Sequence, residues 1–167
     1  MPNWTSNQLI IEGDRAKVIA AAQFIKSDQR VIDFDKIIPM PDILKNTGSG
    51  NTTIDGRNVE VWFQDNSIED HSERHKTERL FTEAELAKLA KTGFKNWYDW
   101  SCKNWGTKWN AYEATVENEF GGYLEIRFET AWCAPAPILA ALRKKFPDLE
   151  VQLNYRNEDD SEFPNSL

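Results

Sequence analysis

The stretch KNWYDWSCKNWGTKWNA, residues 95–111, carries Trp97, Trp100, Trp105 and Trp109, four of the seven tryptophans in a chain of 167 residues. Indoles placed this way can stack nucleobases or box a cation, with ~1–3 kcal/mol for each stacked base. They can equally lock one element onto another, because each buried indole removes ~150–250 Å² from water. Trp97 and Trp100 stand three apart on an expected helix, and Trp105 and Trp109 four apart across Gly106, so each pair can present side by side. A fully exposed cluster of that size would form an apolar patch that soluble monomers rarely carry. The expectation is a mainly buried set with at most one indole substantially exposed, rimmed by basic side chains. Trp97, Trp100, Lys103, Trp105, Lys108 and Trp109 therefore make up the candidate binding group.

Other candidate chemistry is thinner. DHSERH sets His71 and His75 four apart, one face of a helix, where two imidazoles could meet zinc. No third ligand accompanies them and the HExxH glutamate is missing, so a solvated helix face is expected and no metal. NTGSGN is glycine-rich but lacks the GK[ST] ending of a phosphate-binding loop. Cys102 and Cys133 have neither CxxC spacing nor a disulfide framework and read as reduced, packed thiols. No cofactor is implied.

Composition narrows the partners. Lys and Arg total 20 against 27 Asp and Glu, a formal charge of -7, which weakens non-specific attraction to phosphate backbones. Nucleic acid is thus disfavoured as a partner. The start MPNWTSNQ has no basic and apolar leader, and no apolar run approaches the ~18 residues of a membrane span. A cytoplasmic protein away from the membrane is expected. At this length folding buries roughly 70% of the unfolded surface, enough for a real core.

The elements that must position these residues can be read along the chain. NQLIIEG is a short strand, and Asp14 caps an amphipathic helix from Arg15 to Lys26 carrying Val18, Ile19, Ala22 and Ile25. AYEATVENE and LEIRFET alternate about Gly121-Gly122, a hairpin. PAPILAALRKKFPD is a helix with Ile138, Leu139 and Leu142 as its apolar stripe, and LEVQLNY is a last half-buried strand before a polar acidic tail. The order is strand, helix, long intervening segment, strand, strand, helix, strand: an α+β, ferredoxin-like split βαβ sandwich. A single domain over 1–167 is expected, with residues 31–110 inserted, because that segment far exceeds an ordinary connection. Within the insertion IIPMPDIL reads as extended, DGRN as a turn leading into a hairpin strand VEVWF, and Thr82 with Glu85 as a capping box opening a helix that ends near Gly93.

Period-two alternation then assigns the sheet faces. Leu124, Ile126 and Phe128 face the core with Tyr112, Ala114, Val116 and Asn118, which sends Glu113, Glu117, Glu119, Glu125 and Glu129 outward around Arg127. On this reading the outer face is acidic, Tyr123 and Ile10 are its only apolar contacts, and a partner using it is a basic protein.

The stretches MPNW, KIIPMP, NWGTKWNA and FETAW, the last followed by a proline-containing helix start, resemble the YubB-like family of bacterial plasmids, prophages and genomic islands. That resemblance implies a ferredoxin-like domain with an inserted segment, and it carries over no catalytic residue. The leading functional reading is a non-enzymatic binding or adaptor protein of mobile elements that counters or modulates a host system by protein contact. Single-stranded nucleic-acid binding is the alternative. A small enzyme is a third class, for which no paired acid and base or nucleotide fingerprint is present. The sequence leaves the oligomeric state open.

Overall fold

The computed structural model describes residues 3–158, 160 and 165–167; Met1 and Pro2 of MPNW, and residues 159 and 161–164 of the polar acidic tail, lie outside them. The chain runs β1 (Trp4–Glu12), α1 (Arg15–Ile25), α2 (Phe34–Ile37), α3 (Asp42–Lys45), β2 (Thr52–Ile54), β3 (Arg57–Val59), α4 (His71–His75), α5 (Glu83–Ala90), α6 (Trp97–Asn104), β4 (Tyr112–Phe120), β5 (Tyr123–Ala131), α7 (Ala136–Lys145), β6 (Glu150–Asn157) and β7 (Asn165–Ser166). It divides into two compact units, Met1–Pro39 with Cys102–Leu167, and Met40–Ser101. No described helix is long and apolar enough to cross a membrane.

In the first unit the strands form one antiparallel sheet in the order β4-β5-β1-β6-β7. The first four positions reproduce the ferredoxin-like order anticipated from the α+β element sequence. Burial alternates strictly along β1, and its inward Leu9 and Ile11 meet the inward Leu124, Ile126 and Phe128 of β5 and Val151 and Leu153 of β6, all buried. Val18, Ala21 and Ile25 of α1 and Ile138, Leu139 and Leu142 of α7 complete that core. Each of these side chains larger than Ala21 contributes roughly 1.5–3 kcal/mol on leaving water. Within this unit α1 and α7 cover one face of the sheet, and the side chains of the other include the exposed Arg127, Gln152 and Arg156.

Local chemistry sets the element ends. The Asp14 carboxylate accepts from the Lys17 N–H at the start of α1, satisfying a donor that the helix cannot. The β4–β5 hairpin turns on Gly121 and Gly122. At Gly122, φ is +105° and a Cβ would sit 2.3 Å from the Gly13 carbonyl oxygen, so only glycine fits.

Two departures from strict alternation matter for the site. First, β1 begins at Trp4 rather than near Asn7. Second, β4 carries two register shifts against β5, between Tyr112 and Thr115 and between Val116 and Asn118, with Glu113 in the left-handed region at φ 46°. Each bulge inserts a residue and flips the face of the residues after it. Tyr112, Thr115, Asn118 and Phe120 consequently pair with Glu129, Arg127, Glu125 and Tyr123, the outward set of β5, whereas Glu119 pairs with inward Leu124. The expected inward placement of Tyr112 and Asn118, and the outward one of Glu119, are thereby corrected.

The second unit holds the small hairpin, with Thr52–Ile54 paired to Arg57–Val59 across Asp55 and Gly56. Of VEVWF only Val59 belongs to this strand; Trp62 is buried, and Phe63 bridges singly to Thr47 and Arg79. The stretch read as extended, IIPMPDIL, instead begins on the last residue of α2 and ends within α3, with Leu44 buried. Thr82 and Glu85 complete the capping box of α5 reciprocally, and Glu85 also takes both amino groups of Arg79. That fork holds the Glu85 carboxyl far below its ordinary value, at about 2.

Candidate functional site: the outer face of the sheet

The tryptophans of residues 97–109 divide between structure and surface. Trp97 is half-buried in the second unit, its backbone N–H donating to Thr47 Oγ1 at 2.8 Å, and Trp100 is buried. In the first unit Trp105 is buried, donates Nε1–H to the Ile38 carbonyl at 2.9 Å, and meets Phe34 edge to face at 6.0 Å. Phe34 in turn packs on Phe128, so Trp105 locks α2 against the sheet core. Trp109 alone is substantially exposed, at 37%. Lys103 is exposed on α6, and Lys108 Nζ lies over the rings of Trp109 and Trp132, 4.4 and 5.3 Å from their centroids.

Trp109 joins two rings that the candidate group did not include. Trp4, on the outward side of β1, stacks on Tyr112 with centroids 5.1 Å apart and planes 19° apart, and lies 6.1 Å from Trp109. Tyr112 is half exposed. The signal for Trp4 was present in WTSNQLIIE, whose alternation runs back to residue 4 once Thr5 and Asn7 are accepted as core residues. Both are buried. Asn7 donates to Thr130 Oγ1 and the Thr5 carbonyl, and Thr5 donates to Asn157 Oδ1, which makes the polar inward positions tolerable. Tyr112 was legible only with knowledge of the bulge.

From these rings the outer face descends in rows across the strands. The first row is Tyr112, Glu129, Ser6 and Arg156; the second is Thr115, Arg127, Gln8 and Asn154. The third is Asn118, Glu125, Ile10 and Gln152; the fourth is Phe120, Tyr123, Glu12 and Glu150. Ser6, Asn7, Arg127, Glu129 and Arg156 line a pocket of about 380 Å³ beside the aromatic end. Ser6 Oγ donates to Glu129 at 2.8 Å.

A hydrogen-bond chain crosses all five strands through the middle of this face. Ser166 Oγ donates to Asn154 Oδ1, Asn154 Nδ2 to Gln8 Oε1, and Gln8 Nε2 to Glu125 Oε1 at 2.6 Å. Asn118 Nδ2 and the Tyr123 hydroxyl donate to the other Glu125 oxygen. Glu125 is only 6% exposed, yet it is surrounded by donors, and Arg127 Nε stands 3.6 Å away. The bond from Gln8, then that from Asn118, hold its carboxyl below the ordinary carboxylate range against the opposing effect of burial. Burial and the neighbouring Glu125 charge push the Tyr123 phenol up.

The anticipated acidic group is therefore dispersed. Glu125 is the acceptor at the centre of a polar network, Glu129 borders the pocket, and Glu117 accepts from Thr115 Oγ1. Glu113 occupies a bulge and Glu119 belongs to the other side. Arg127 and Arg156 lie among the carboxylates, and the rings of Trp4 and Tyr112 close one end. Phe120 and Tyr123, stacked at 5.2 Å, close the other.

Elsewhere, His71 and His75 meet edge to face at 4.3 Å on exposed α4, and His75 Nδ1 is 2.5 Å from Glu78 Oε1. Among the described residues no group of three or more His, Cys, Asp or Glu is arranged to hold a metal ion. Neither cysteine belongs to a disulfide; Cys102 is half-buried, and Cys133 is exposed rather than packed.

Residues 104–162, which contain β4, β5, α7 and β6, match the family model described as the ferredoxin-like domain in Api92-like protein. No curated protein and no solved structure matches the chain.

Proposed function

We propose that this is a non-enzymatic binding protein that acts by protein–protein contact through the outer face of its sheet. The observation carrying this reading is the Trp4–Tyr112–Trp109 group, half-buried at Trp4 and exposed at Tyr112 and Trp109, beside the pocket of Arg127, Glu129, Arg156 and Ser6. Rigid rings beside arginines are the residues that dominate binding energy at protein interfaces. The surface mixes both charges, so the partner it fits is mixed rather than simply basic.

The finer family placement is the YubB-like one, supported by motifs spread from MPNW to FETAW, beyond the 59 residues, 104 to 162, of the ferredoxin-like match. With it comes the proposed setting: the cytoplasm of a bacterium, on a mobile element, modulating a host system. Two thiols outside any disulfide suit that compartment.

A second reading, single-stranded nucleic acid, gains from the same rings, because stacked aromatics on a ferredoxin-like sheet can receive bases. It ranks second because Glu12, Glu125, Glu129 and Glu150 share the face with Arg127 and Arg156, and carboxylates repel phosphate.

The test is affinity capture from host-cell lysate with wild-type protein and with Tyr112→Ala and Arg127→Glu. A protein retained by the wild type and lost with both variants supports the reading. Equal retention by all three overturns it, as does sub-micromolar binding of single-stranded RNA or DNA at low salt that both variants abolish.

A further inference from the structure

The four rows of the outer face are complementary to themselves. Both arginines, Arg156 and Arg127, lie in the first two rows, with Glu129 bound to Ser6 between strands; Glu125, Glu12 and Glu150 lie in the last two. Exposed rings stand at both ends of β4, Tyr112 at 51% and Phe120 at 66%. A two-fold axis lying in the plane of the face, across the strands and midway between the Gln8 and Ile10 rows, exchanges first row with fourth and second with third. It brings Arg156 onto Glu150 of a second copy and Tyr112 onto Phe120, each contact occurring twice, while Arg127 lies over the buried Glu125, whose oxygens are already held within its own chain. Such an isologous arrangement is the commonest in homo-oligomers.

We propose that the occupant of this face is a second copy of the chain, packed sheet to sheet about that axis. The inference rests on the reading of the face as a protein-contact surface and names its partner. Two facing sheets pack about 10 Å apart with strands within about 30° of each other, which leaves Arg156 within side-chain reach of Glu150 of the second copy. Arg156 and Glu150 are both exposed, so meeting across the interface requires no rearrangement of the core. Strands of nine residues in a four-strand face measure about 30 Å by 19 Å, which places the contact at the small end of specific interfaces. The dimer is accordingly weak, forming in the micromolar range. A polyanion gains less from this face than a second copy does, because each arginine it approaches is followed by carboxylates, whereas the second copy presents carboxylates to arginines.

The experiment is sedimentation equilibrium of the purified full chain over about 1–200 µM, at low and at high salt, with R156E, E150R, the double variant R156E/E150R, and an equimolar mixture of the two single variants. The wild type is expected to dimerise reversibly and more weakly at high salt. R156E and E150R each oppose like charges at both contacts, so each weakens self-association about tenfold. The mixture and the double variant restore opposite charges at both contacts and recover wild-type association. That recovery is something misfolding cannot imitate, and circular dichroism confirms the fold of each variant. A wild type monomeric throughout, or dimerisation indifferent to R156E and E150R, overturns the inference. If the wild type is monomeric while Tyr112→Ala and Arg127→Glu still abolish capture of another protein, only the identity of the partner fails. If those variants abolish neither, the contact-surface reading fails with it.

Discussion

Trp4 and Tyr112 stack face to face on the open side of the sheet, 5.1 Å between centroids, although they belong to the first strand and to the edge strand β4. The contact exists because the bulge at Glu113 flips Tyr112 out of the core-facing set. Tyr112 is half exposed, so truncation removes a ring pair while leaving the core intact. Tyr112→Ala is expected to cost about 0.5–1.5 kcal/mol in urea unfolding and to abolish partner capture. A loss above about 3 kcal/mol would assign the ring to the core instead.

The two indoles of the same short stretch should behave oppositely. Trp105→Ala removes a buried ring that holds Phe34 and the Ile38 carbonyl, for an expected loss of ~3–5 kcal/mol. Trp109→Ala, at an exposed site, is expected to cost less than about 1.5 kcal/mol while weakening binding. Denaturant midpoints of the two variants, compared at equal m-value, measure the contrast.

Periodicity and capping made much of the fold legible in the sequence. Leu9, Ile11, Leu124, Ile126, Phe128, Val151 and Leu153 alternate as a half-buried sheet must, and all are buried. Asp14 and Thr82 are caps where their side-chain chemistry placed them. The features that stayed hidden depended on contacts between distant residues. Thr5 looks like a loop residue, and Asn7 like a strand's polar start, until Asn157, Thr130 and the Thr5 carbonyl supply their hydrogen bonds, and so β1 reads three residues short and Trp4 is missed. The bulges in YEATVENEF leave no mark that alternation can detect, because Glu113 is not a residue that favours a positive φ. Two inserted residues, one at each register shift, exchange Tyr112 and Asn118 for Glu119, turning a face that reads as a row of carboxylates into rings, amides, arginines and carboxylates.

The hairpin turn offers a test of backbone against space. Gly122→Ala must place a Cβ 2.3 Å from the Gly13 oxygen at φ +105°, so it is expected to destabilise by about 2 kcal/mol or more. Gly121 has φ +50° and open space around it, a conformation asparagine accepts. Gly121→Asn is expected to lie within about 0.5–1 kcal/mol of wild type. Comparable losses at both positions, measured by thermal unfolding, would mean that the close approach to Gly13 is not what demands glycine.

Glu125 makes the stability of the sheet depend on pH. Its folded carboxyl titrates below the ordinary range because it accepts from Gln8, Asn118 and Tyr123 as a carboxylate. A depressed folded value means that the contribution is fully present above the unfolded value of ~4.3 and is lost as pH falls through the folded one. The Tyr123 phenol, raised in the folded state, works from the other end: its contribution holds below ~10 and declines as pH rises beyond that. Glu125→Gln keeps the shape but sets an amide N–H₂ against donors from β1 or β4, leaving one of them unsatisfied. At neutral pH the variant is expected to be about 1–3 kcal/mol less stable than wild type. That gap should narrow as pH falls below the unfolded value of ~4.3 and through the depressed folded one, where the wild-type carboxyl also loses its charge, and the other carboxylates cancel because both proteins carry them. Urea unfolding of both proteins at closely spaced pH values measures the gap directly. A difference that stays constant from neutral pH to the acid end would show that Glu125 acts by shape alone and that the five-strand hydrogen-bond chain does not need its charge.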